Sequence, residues 1–451
     1  MKGLKAGIVS LGCAKNLVDT EVMLGIIADQ GIEIINDPAD ADIIIVNTCS
    51  FINSAKEESI DTILQMAEYK KQGQCKALIV TGCLSQRYKE ELLQELPEVD
   101  ALLGTDEWGR IAEAVKNALI GKRTAFVDSL GKIYDADSPR ISTTPKHSVY
   151  VKIAEGCNNC CSYCVIPLVR GKFRSRKIES IVDEVKKLVQ LGVKEVNLIA
   201  QDTTSYGRDI YGEPRLVELL KELVSIEGIS WIRLLYSYPA FFTDELIELI
   251  AAEPKICKYI DMPLQHADNA VLAAMNRQGT QEDVINLLRK IRSRIQDVAI
   301  RTSFIVGFPG EDIASFNNLL AFVQEMRFDR VGVFMYSQEE GTLAAEMDCQ
   351  VPEMLKEERY HRLMEMQTQI SQEINNTLVG KKLQVLVEGQ SEDQTDIIYG
   401  RTERDAPDID GKIYMTKRVG VEPGDMVVVE VTEGYDYDLS GEIVDYCLEK
   451  N

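Results

Sequence analysis

Short apolar runs alternate with amphipathic segments over residues 1–120. The runs are AGIVSL, DIIIVN, KALIVT and VDALLG, and each one precedes a segment of helical periodicity. This alternation is typical of a parallel α/β fold. We therefore expect an N-terminal parallel α/β domain over these residues.

The clearest helical pattern of this domain begins near Ser54. Ser54 and Glu57 have the spacing of a capping box. Apolar residues follow at helical spacing, namely Ile60, Ile63, Leu64 and Ala67. The pattern predicts a capped helix that packs through this apolar face.

Six further apolar runs follow a stretch of turn-forming and charged residues. Residues 121–146 lack sustained periodicity, which predicts a linker that contains one short strand. The six runs begin near residues 148, 196, 231, 259, 299 and 330, and helical patterns separate them. They predict a central partial (β/α)6 barrel over residues 147–375, because a closed barrel of this kind uses eight units. Its open side would admit a large substrate.

The pattern changes again after a long polar helix predicted from residue 353 onward. Residues 376–451 contain five short apolar runs separated by Gly, Asp and Pro, namely KLQVLVEG, DIIYGR, KIYMTK, MVVVEVTEG and LSGEIVDY. Such runs are typical of a small all-β barrel. The chain is therefore expected to be a multidomain α/β protein with an all-β C-terminal domain.

Composition and charge indicate the setting of the protein. No apolar run reaches the roughly 18 residues of a membrane span, and the start MKGLKAGIVSLGC lacks the features of a secretion signal. The cytoplasm is thus the expected location. The formal net charge of −22 disfavours diffuse attraction to nucleic acid or membrane and favours a basic partner.

Four of the eleven cysteines lie in CNNCCSYC, residues 157–164. Two abutting C-x2-C pairs suit zinc poorly, because zinc sites of this type separate their pairs by about 12–20 residues. Cys157, Cys161 and Cys164 instead form C-x3-C-x2-C, which offers three thiolates to a four-iron cluster and leaves one iron for an exchangeable ligand. The spacing resembles the radical S-adenosylmethionine signature, and it follows the first barrel strand, where catalytic loops gather.

Two neighbours of these cysteines are not proposed as cluster ligands. Tyr163 occupies a position where that superfamily tends to place an aromatic ring against the adenine, and ordinary packing is the alternative. Cys160 would break the three-ligand pattern, so we expect it to be a bystander.

Three other cysteines share one sequence context. Cys13 in SLGCAKN, Cys49 in VNTCSF and Cys83 in VTGCLSQ each follow an apolar strand and precede a helix. The carboxyl ends of parallel strands meet at one edge of a sheet, so these thiols should lie close together and hold a second cluster. Packing in the core is the alternative reading. The remaining cysteines lack such a context and are assigned to packing or surface positions, namely Cys75, Cys257, Cys349 and Cys447.

Several stretches together resemble the methylthiotransferases, radical enzymes that carry two 4Fe–4S clusters and use S-adenosyl-L-methionine. They are LGCAKN, NTCSFINSAKEES, TGCLSQRY, EGCNNCCSYCVIPLVRGKFRSR and IDMPLQHA. The resemblance implies that Cys157, Cys161 and Cys164 hold the radical-generating cluster. It also implies that Cys13, Cys49 and Cys83 hold an auxiliary cluster that supplies sulfur, and that the terminal barrel is a TRAM domain.

Within this family, three stretches are most similar to the branch that modifies the β-carbon of an aspartate in the twelfth protein of the small ribosomal subunit. They are LGCAKNLVDTE, AQDTTSYGRDIYG and GRTERDAPDIDGKIYM. Charge favours the same choice, because residues 376–451 contain seventeen acidic and eight basic residues, which suits a basic ribosomal protein better than phosphates. An electron donor such as a flavodoxin or ferredoxin is an implied partner.

Five further polar residues are candidate contacts of cofactor or substrate. Gln201 and Asp202 follow the second barrel strand, and Gln265 and His266 follow the fourth, which places them at the expected catalytic rim. Arg301 interrupts an apolar strand and needs an anionic partner, either the cofactor carboxylate or an internal acid.

Two other functions are compatible with these motifs. A transfer-RNA adenosine methylthiotransferase would share the whole architecture, and barrels like the last domain often bind RNA. A noncatalytic iron–sulfur carrier would share the clusters but would not cleave the cofactor.

Overall fold

The N-terminal domain is a parallel sheet covered by helices, as the alternating pattern predicts. The computed structural model describes residues 1–73, 75–127 and 130–446. The elements of this domain are β1 Lys5–Ser10, α1 Ala14–Asp29, β2 Glu33–Ile35, β3 Ile43–Thr48, α2 Asn53–Gln72, β4 Ala77–Gly82, α3 Cys83–Glu95, β5 Ala101–Leu103, α4 Ile111–Leu119 and β6 Thr124–Phe126. The strands lie in the order β2-β1-β3-β4-β5-β6 and every adjacent pair is parallel. The sequence pattern did not predict β2, whereas β6 is the short strand expected in the linker segment.

Helix α2 differs from its prediction in two respects. Its N-cap residue is Ile52, which makes no side-chain capping bond, so the predicted capping box does not form. Its buried face is also narrower than predicted, because Ile60 and Leu64 are 36% and 43% exposed. The helix instead buries Ser59, whose hydroxyl donates to the Cys49 carbonyl (2.9 Å) and accepts from the Cys49 amide (3.1 Å). This contact sets the rotation of α2 on the sheet.

The central domain is the predicted six-stranded half-barrel. Its elements are β7 Ser148–Lys152, β8 Ala154–Glu155, α5 Ile166–Arg170, β9 Arg174–Ser175, α6 Ile178–Gln190, β10 Glu195–Ile199, α7 Arg208–Tyr211, α8 Leu216–Val224, β11 Trp231–Leu234, α9 Asp244–Ala252, β12 Tyr259–Asp261, α10 Asn269–Ala274, α11 Gln281–Arg294, β13 Ala299–Val306, α12 Ile313–Met326 and β14 Arg330–Met335. Six of these strands form two parallel sheets, β11-β10-β7 and β12-β13-β14, joined by the bridge between Ile232 and Ile256. The short strands β8 and β9 form a separate antiparallel pair. Within the described residues β14 and β7 do not pair, so the barrel is open between them.

The two faces of the half-barrel strands have different chemistry. On β7, Val149 and Val151 point to the helices and join the largest apolar core. The alternate residue Tyr150 packs on the inner side with Trp231 and Tyr259, and Lys152 is also buried. Alternation along each strand therefore separates an apolar outer core from an aromatic and charged interior.

The C-terminal domain is the predicted small barrel, reached through one long helix. The elements are α13 Glu353–Asn376, β15 Lys382–Gln390, β16 Ile397–Thr402, β17 Ile413–Thr416, β18 Met426–Gly434 and β19 Leu439–Tyr446. The barrel closes in the order β15-β16-β17-β19-β18. Its core consists of the inward side chains of these strands, such as Val385, Val427 and Val429.

Residues 401–410 of the C-terminal barrel close the amino-terminal end of the half-barrel. The fully buried Glu195 at the start of β10 accepts hydrogen bonds from Arg401 (2.5 Å) and from Arg233 (3.0 Å). In addition, the Tyr259 hydroxyl donates a hydrogen bond to Asp410 of the same C-terminal segment (2.6 Å). A buried carboxylate between two guanidinium groups is costly to separate, so these bonds fix the terminal barrel against the central domain.

Replacement of Arg401 tests this junction. Arg401→Met leaves Glu195 and Glu388 without their shared partner, and we expect a loss of about 3–5 kcal/mol, the usual effect of breaking a buried pair. The measurement is thermal unfolding by circular dichroism together with limited proteolysis near Asn376. Arg418→Met, at an exposed position of the same barrel, is the control. Equal melting temperatures for the two variants would contradict the structural role of Arg401.

Candidate functional site

Three cysteines lie at the carboxyl ends of three adjacent strands. Cys13 is the N-cap residue of α1, Cys49 directly follows β3, and Cys83 is the first residue of α3 after β4. Because β1, β3 and β4 are neighbours in the sheet, their loops meet at one edge. The structure thus brings together the three thiols that share the same strand-to-helix position in the sequence.

Two glycines allow the loops of this trio to approach one another. A Cβ atom on Gly12 would lie 2.8 Å from the Cys49 Cβ and 3.1 Å from its sulfur. A Cβ atom on Gly82 would lie 2.3 Å from Asn47 Oδ1. Both glycines have φ near +90°, a region that other residues rarely adopt. Glycine is therefore required on both sides of the trio.

Two buried asparagines fix the same loops. Asn16 Nδ2 donates to the carbonyls of Leu11 (3.0 Å) and Thr48 (2.9 Å), and Asn47 Nδ2 donates to the Asn16 carbonyl (2.8 Å). Asn16 Oδ1 also lies 3.8 Å from the Cys83 sulfur. These bonds hold the ends of β1, β3 and β4 in one geometry.

Two cations set the electrostatics of the first trio. Cys13 as a residue is exposed, although neighbouring groups surround its thiol. Burial of the thiol opposes its ionisation, but the charges of Lys15 and Arg170 outweigh this effect and lower the pKa of Cys13. Burial raises the pKa of Cys83 to about 12, although Arg170 opposes the increase. Lys15 also stands 3.2 Å above the ring of Tyr236 from the half-barrel. The trio is thus an electropositive site shared by two domains.

The second trio lies in the loop that follows β8. Backbone amides approach two of its sulfurs, since Asn159 N–H donates to Cys157 (3.4 Å) and Ile166 N–H donates to Cys164 (3.4 Å). A guanidinium nitrogen of Arg277 lies 3.9 Å from the Cys161 sulfur. Burial raises the pKa of Cys157 to about 11 and that of Cys164 to about 12. Amide and guanidinium donors of this kind stabilise the thiolate form when iron binds.

Cys160 differs from its three neighbours in backbone geometry. It has a φ of 50°, is exposed, and its carbonyl accepts a hydrogen bond from Asn276 (2.9 Å). The residue forms the sharp turn that separates Cys157 from Cys161. Its expected role as a bystander stays a prediction.

A buried ionic network joins the two trios. Arg170 donates to Asp19 (2.6 Å) and Glu155 (3.2 Å), and it also bonds to Asn16 of the first trio's scaffold. Lys152 pairs with the same two carboxylates. Glu155 precedes Cys157 by two residues, so the network extends from one trio to the other. The network contains two cations and two anions. Because each charge is paired, all four groups can be buried.

Each trio offers three thiolates, which is the donor type that a four-iron cluster uses. Among the described residues, no group of three or more His, Cys, Asp or Glu side chains is arranged to hold one metal ion. In a cubic cluster each thiolate binds a different iron, so the three sulfurs need not converge on one point. Cys157, Cys161 and Cys164 would hold one cluster, and Cys13, Cys49 and Cys83 would hold the other.

The polar residues at the end of β10 lie beside the second trio. Gln201 donates to Glu155 of the ionic network, and its Oε1 is buried without a hydrogen-bond partner among the described residues. Asp202 accepts from Asn159 (2.9 Å) and from Ser205 (2.7 Å), which ties the cysteine loop to β10. Asp202 thus has a positioning contact, whereas Gln201 retains an acceptor for a ligand.

Tyr163 and the residues after β12 have protein partners as well. Tyr163 packs on an apolar cluster that includes Phe308 and Tyr336. Gln265 has a φ of 73°, and its backbone bonds to β13. The buried His266 places Nε2 3.3 Å from Glu311, without the geometry of a hydrogen bond, and its Nδ1 accepts from Asp268 (3.0 Å). Their predicted cofactor contacts stay predictions.

Arg301 has the internal acidic partners that were the alternative to a cofactor carboxylate. It donates to Asp261 (3.1 Å) and lies 3.4 Å from Asp410 of the C-terminal domain. Arg301 is the third residue of β13, whereas the catalytic rim lies beyond Val306 at the other end. The observed pairing favours a structural role.

Four residues of this region were not predicted from the sequence. Lys15, Asn16 and Arg170 surround the first trio, and Glu339 joins it to the half-barrel through bonds from Arg87 (2.7 Å) and Lys56 (2.8 Å). Lys15 and Asn16 lie within the quoted motif LGCAKN, and Arg170 within IPLVRG. For Lys15 and Asn16, the available signal was a polar residue close in sequence to the proposed ligand Cys13. Glu339 had none, because its partners are about 250 residues away in the chain.

Three family models match the chain in succession. They are Uncharacterized protein family UPF0004 at residues 5–104, the Radical SAM superfamily at residues 151–323 and the TRAM domain at residues 379–444. TsrM from Kitasatospora setae, a radical S-adenosylmethionine methyltransferase, shares the fold with a TM-score of 0.59 at 13% identity, over 81% of this chain and 89% of that one. Together with the C-x3-C-x2-C loop, these matches define a radical S-adenosylmethionine protein.

Curated relatives specify the family more closely. Ribosomal protein uS12 methylthiotransferase RimO of Desulforamulus reducens is 54% identical over 97% of this chain and 99% of the relative. The protein of the same name from Geobacter sulfurreducens is 52% identical over 98% of each chain. The chain belongs to the family of ribosomal protein uS12 methylthiotransferases.

Iron analysis tests the two proposed clusters separately. The anaerobically purified protein should contain about eight irons per chain, and Cys83→Ala and Cys161→Ala should each contain about four, because each variant loses one four-iron site. Iron and acid-labile sulfide assays provide the measurement. Cys75→Ala and Cys257→Ala, at buried positions outside both trios, are controls that should keep about eight. A Cys83→Ala protein with an undiminished iron content would rule out the auxiliary site.

Proposed function

We propose that the protein is a radical S-adenosylmethionine methylthiotransferase that adds a methylthio group to the β-carbon of an aspartate in ribosomal protein uS12. The observation that carries the proposal is the pair of cysteine trios joined by the Asp19, Lys152, Glu155 and Arg170 network. One trio alone would suit many radical enzymes. Two trios in one site suit a reaction that needs both a radical and a sulfur source.

The chemistry of the reaction explains why both sites are needed. When bound, the clusters and S-adenosylmethionine supply a carbon-centred radical and a methylthio group. The target C–H bond is next to an ionised carboxylate and is not acidic, so acid–base residues alone are poorly suited to remove its hydrogen. The solved structure of TsrM with a 4Fe–4S cluster supports such use of this fold.

The chain's own residues position the reactants. Arg277 and backbone amides hold the loop of the second trio, and Asn16 and Asn47 hold the first. Lys15 and Arg170 place positive charge at the first trio, which favours the binding of anionic sulfur ligands there. Gln201 donates to Glu155 of the network, and its buried Oε1 has no hydrogen-bond partner among the described residues. We assign it to cofactor binding.

The charge of the C-terminal barrel favours a protein substrate over RNA. Residues 376–451 contain seventeen acidic and eight basic residues, and phosphates would be repelled by such a surface. A basic ribosomal protein would be attracted to it. The names of the curated relatives agree with this choice. An electron donor such as a flavodoxin or ferredoxin would deliver the electron that starts the reaction.

A direct assay compares the two substrate classes. The reduced protein with two clusters is incubated anaerobically with S-adenosylmethionine and either purified uS12 or unmodified transfer RNA. We expect uS12 to gain one methylthio group in place of one hydrogen by intact-mass spectrometry, and tandem spectra to place it on an aspartate. Cys161→Ala is the inactive control.

Two results would contradict the proposal. Modification of transfer RNA alone would assign the protein to the RNA branch of the family. Failure to form 5′-deoxyadenosine with an intact complement of iron would instead indicate a noncatalytic iron–sulfur carrier.

A further inference from the structure

Among the described residues, other parts of the chain cover only one half of the half-barrel interior. Val18 and Val22 of α1 pack on Tyr150, Trp231 and Tyr259, which fills the side formed by β7, β11 and β12. On β14, at the open edge, the inward-facing Arg330 is buried, but Gly332 and Phe334 are not. Phe334 there is 48% exposed. An open strip therefore runs along the inner face of β14.

The strip continues from β14 to the C-terminal barrel without interruption. The ring of Phe334 lies over Gly332, because a Cβ atom on Gly332 would be 3.4 Å from the ring and 3.6 Å from the Arg301 guanidinium. Below Gly332 is a cavity of about 330 Å³ lined by Arg301, Gly332, Ile409, Asp410 and Tyr437, among others. We call this surface the β14 groove, defined by Arg301, Gly332, Phe334, Ile409, Asp410 and Tyr437.

The upper end of the β14 groove reaches the first cysteine trio. Four residues after β14 ends, Glu339 accepts a hydrogen bond from Arg87, and Arg87 also donates to the carbonyl of Ser50 (2.9 Å). Ser50 directly follows Cys49. A chain segment lying in the groove would thus extend from the terminal barrel to the proposed auxiliary cluster.

The residues of the groove have the chemistry of a protein interface. Phe334, Ile409 and Tyr437 are 48%, 49% and 38% exposed, and large apolar side chains of this kind are enriched in binding sites. Tyr437 is held by a hydrogen bond between its hydroxyl and Thr368 of α13 (2.8 Å). The ring of Tyr437 is therefore held in place before a partner binds, which reduces the entropy lost on binding.

The charge around the β14 groove selects a basic occupant. Two cations lie in or beside the groove and both are already paired, Arg301 with Asp261 and Asp410, and the buried Arg330 with Asp405. Further carboxylates follow its lower lip, namely exposed Asp408 and Asp436 and half-buried Asp438. The lip therefore has an excess of negative charge, which attracts lysine and arginine side chains.

We propose that the β14 groove binds an extended, lysine- and arginine-rich segment of the substrate protein that flanks the modified aspartate. The inference rests on the proposed function and identifies where on the chain that substrate is held. The aromatic side chains contact the apolar parts of the segment, and the acidic lip contacts its cations. Binding along β14 orients the neighbouring aspartate toward the two cysteine trios.

Two variants and a matched control test the groove by kinetics. Phe334→Ala and Tyr437→Ala should each raise the KM for purified uS12 by about tenfold, because buried aromatic anchors dominate binding at such interfaces. The effect on kcat should be small. Leu191→Ala removes a side chain that is 76% exposed outside the groove and should leave KM unchanged. Iron content and melting temperature are measured for every variant to confirm that each is folded.

Photo-crosslinking provides a readout independent of turnover. A benzoylphenylalanine residue at position 334 should capture uS12 through a segment rich in Lys and Arg, mapped by mass spectrometry, whereas the same residue at position 191 should not. Capture of a second copy of this chain at position 334, or no capture of uS12, would overturn the proposal. So would KM values for both groove variants equal to that of Leu191→Ala while the unsubstituted protein modifies uS12. If the unsubstituted protein fails to modify uS12, the proposed function fails instead.

Discussion

The buried pairing of Lys152 and Arg170 with Asp19 and Glu155 is the interaction on which the arrangement of the molecule depends. The pairs with Asp19 of α1 cross between the N-terminal domain and the half-barrel, whereas the pairs with Glu155 lie within the half-barrel. All four groups are almost completely removed from water. Burying four charges contributes little net stability compared with apolar packing. It does make any other alignment of the two domains unfavourable, because a small displacement would leave a buried charge without its partner. The two cysteine trios are thereby kept in a fixed relation.

A second group of buried ion pairs lies at the opposite end of the half-barrel. Glu195 is held there by Arg233 and by Arg401 of the terminal barrel. The stretch GRTERDAPDIDG closes this end. In the sequence it had served only to distinguish a branch of the family. Its acidic residues Asp405 and Asp410 pair with arginines of the half-barrel. The motif therefore has a structural explanation in addition to its value for recognition.

Charge has two separate roles in this chain. Inside, acids and bases occur in balanced groups that align the domains. Outside, acids are in excess, and the open edge of β14 brings this excess next to exposed aromatic side chains. An acidic protein of this kind associates with a basic partner through long-range attraction, and the apolar contacts of the groove then determine where the partner is held.

Local sequence predicted most of the strands and the meeting of Cys13, Cys49 and Cys83 at one sheet edge. The alternating apolar runs predicted β1, β3, β4 and β5, the six strands of the half-barrel and the five of the terminal barrel, because strand periodicity and strand-to-helix turns are encoded over a few residues. The position of Cys13, Cys49 and Cys83 at such turns placed them at one sheet edge. The tertiary structure alone decided the rotation of α2, the internal partners of Arg301, the role of Glu339 and the open inner face of β14. Each of these depends on side chains that are distant in the chain and meet only when the three domains pack, so no local pattern contains them.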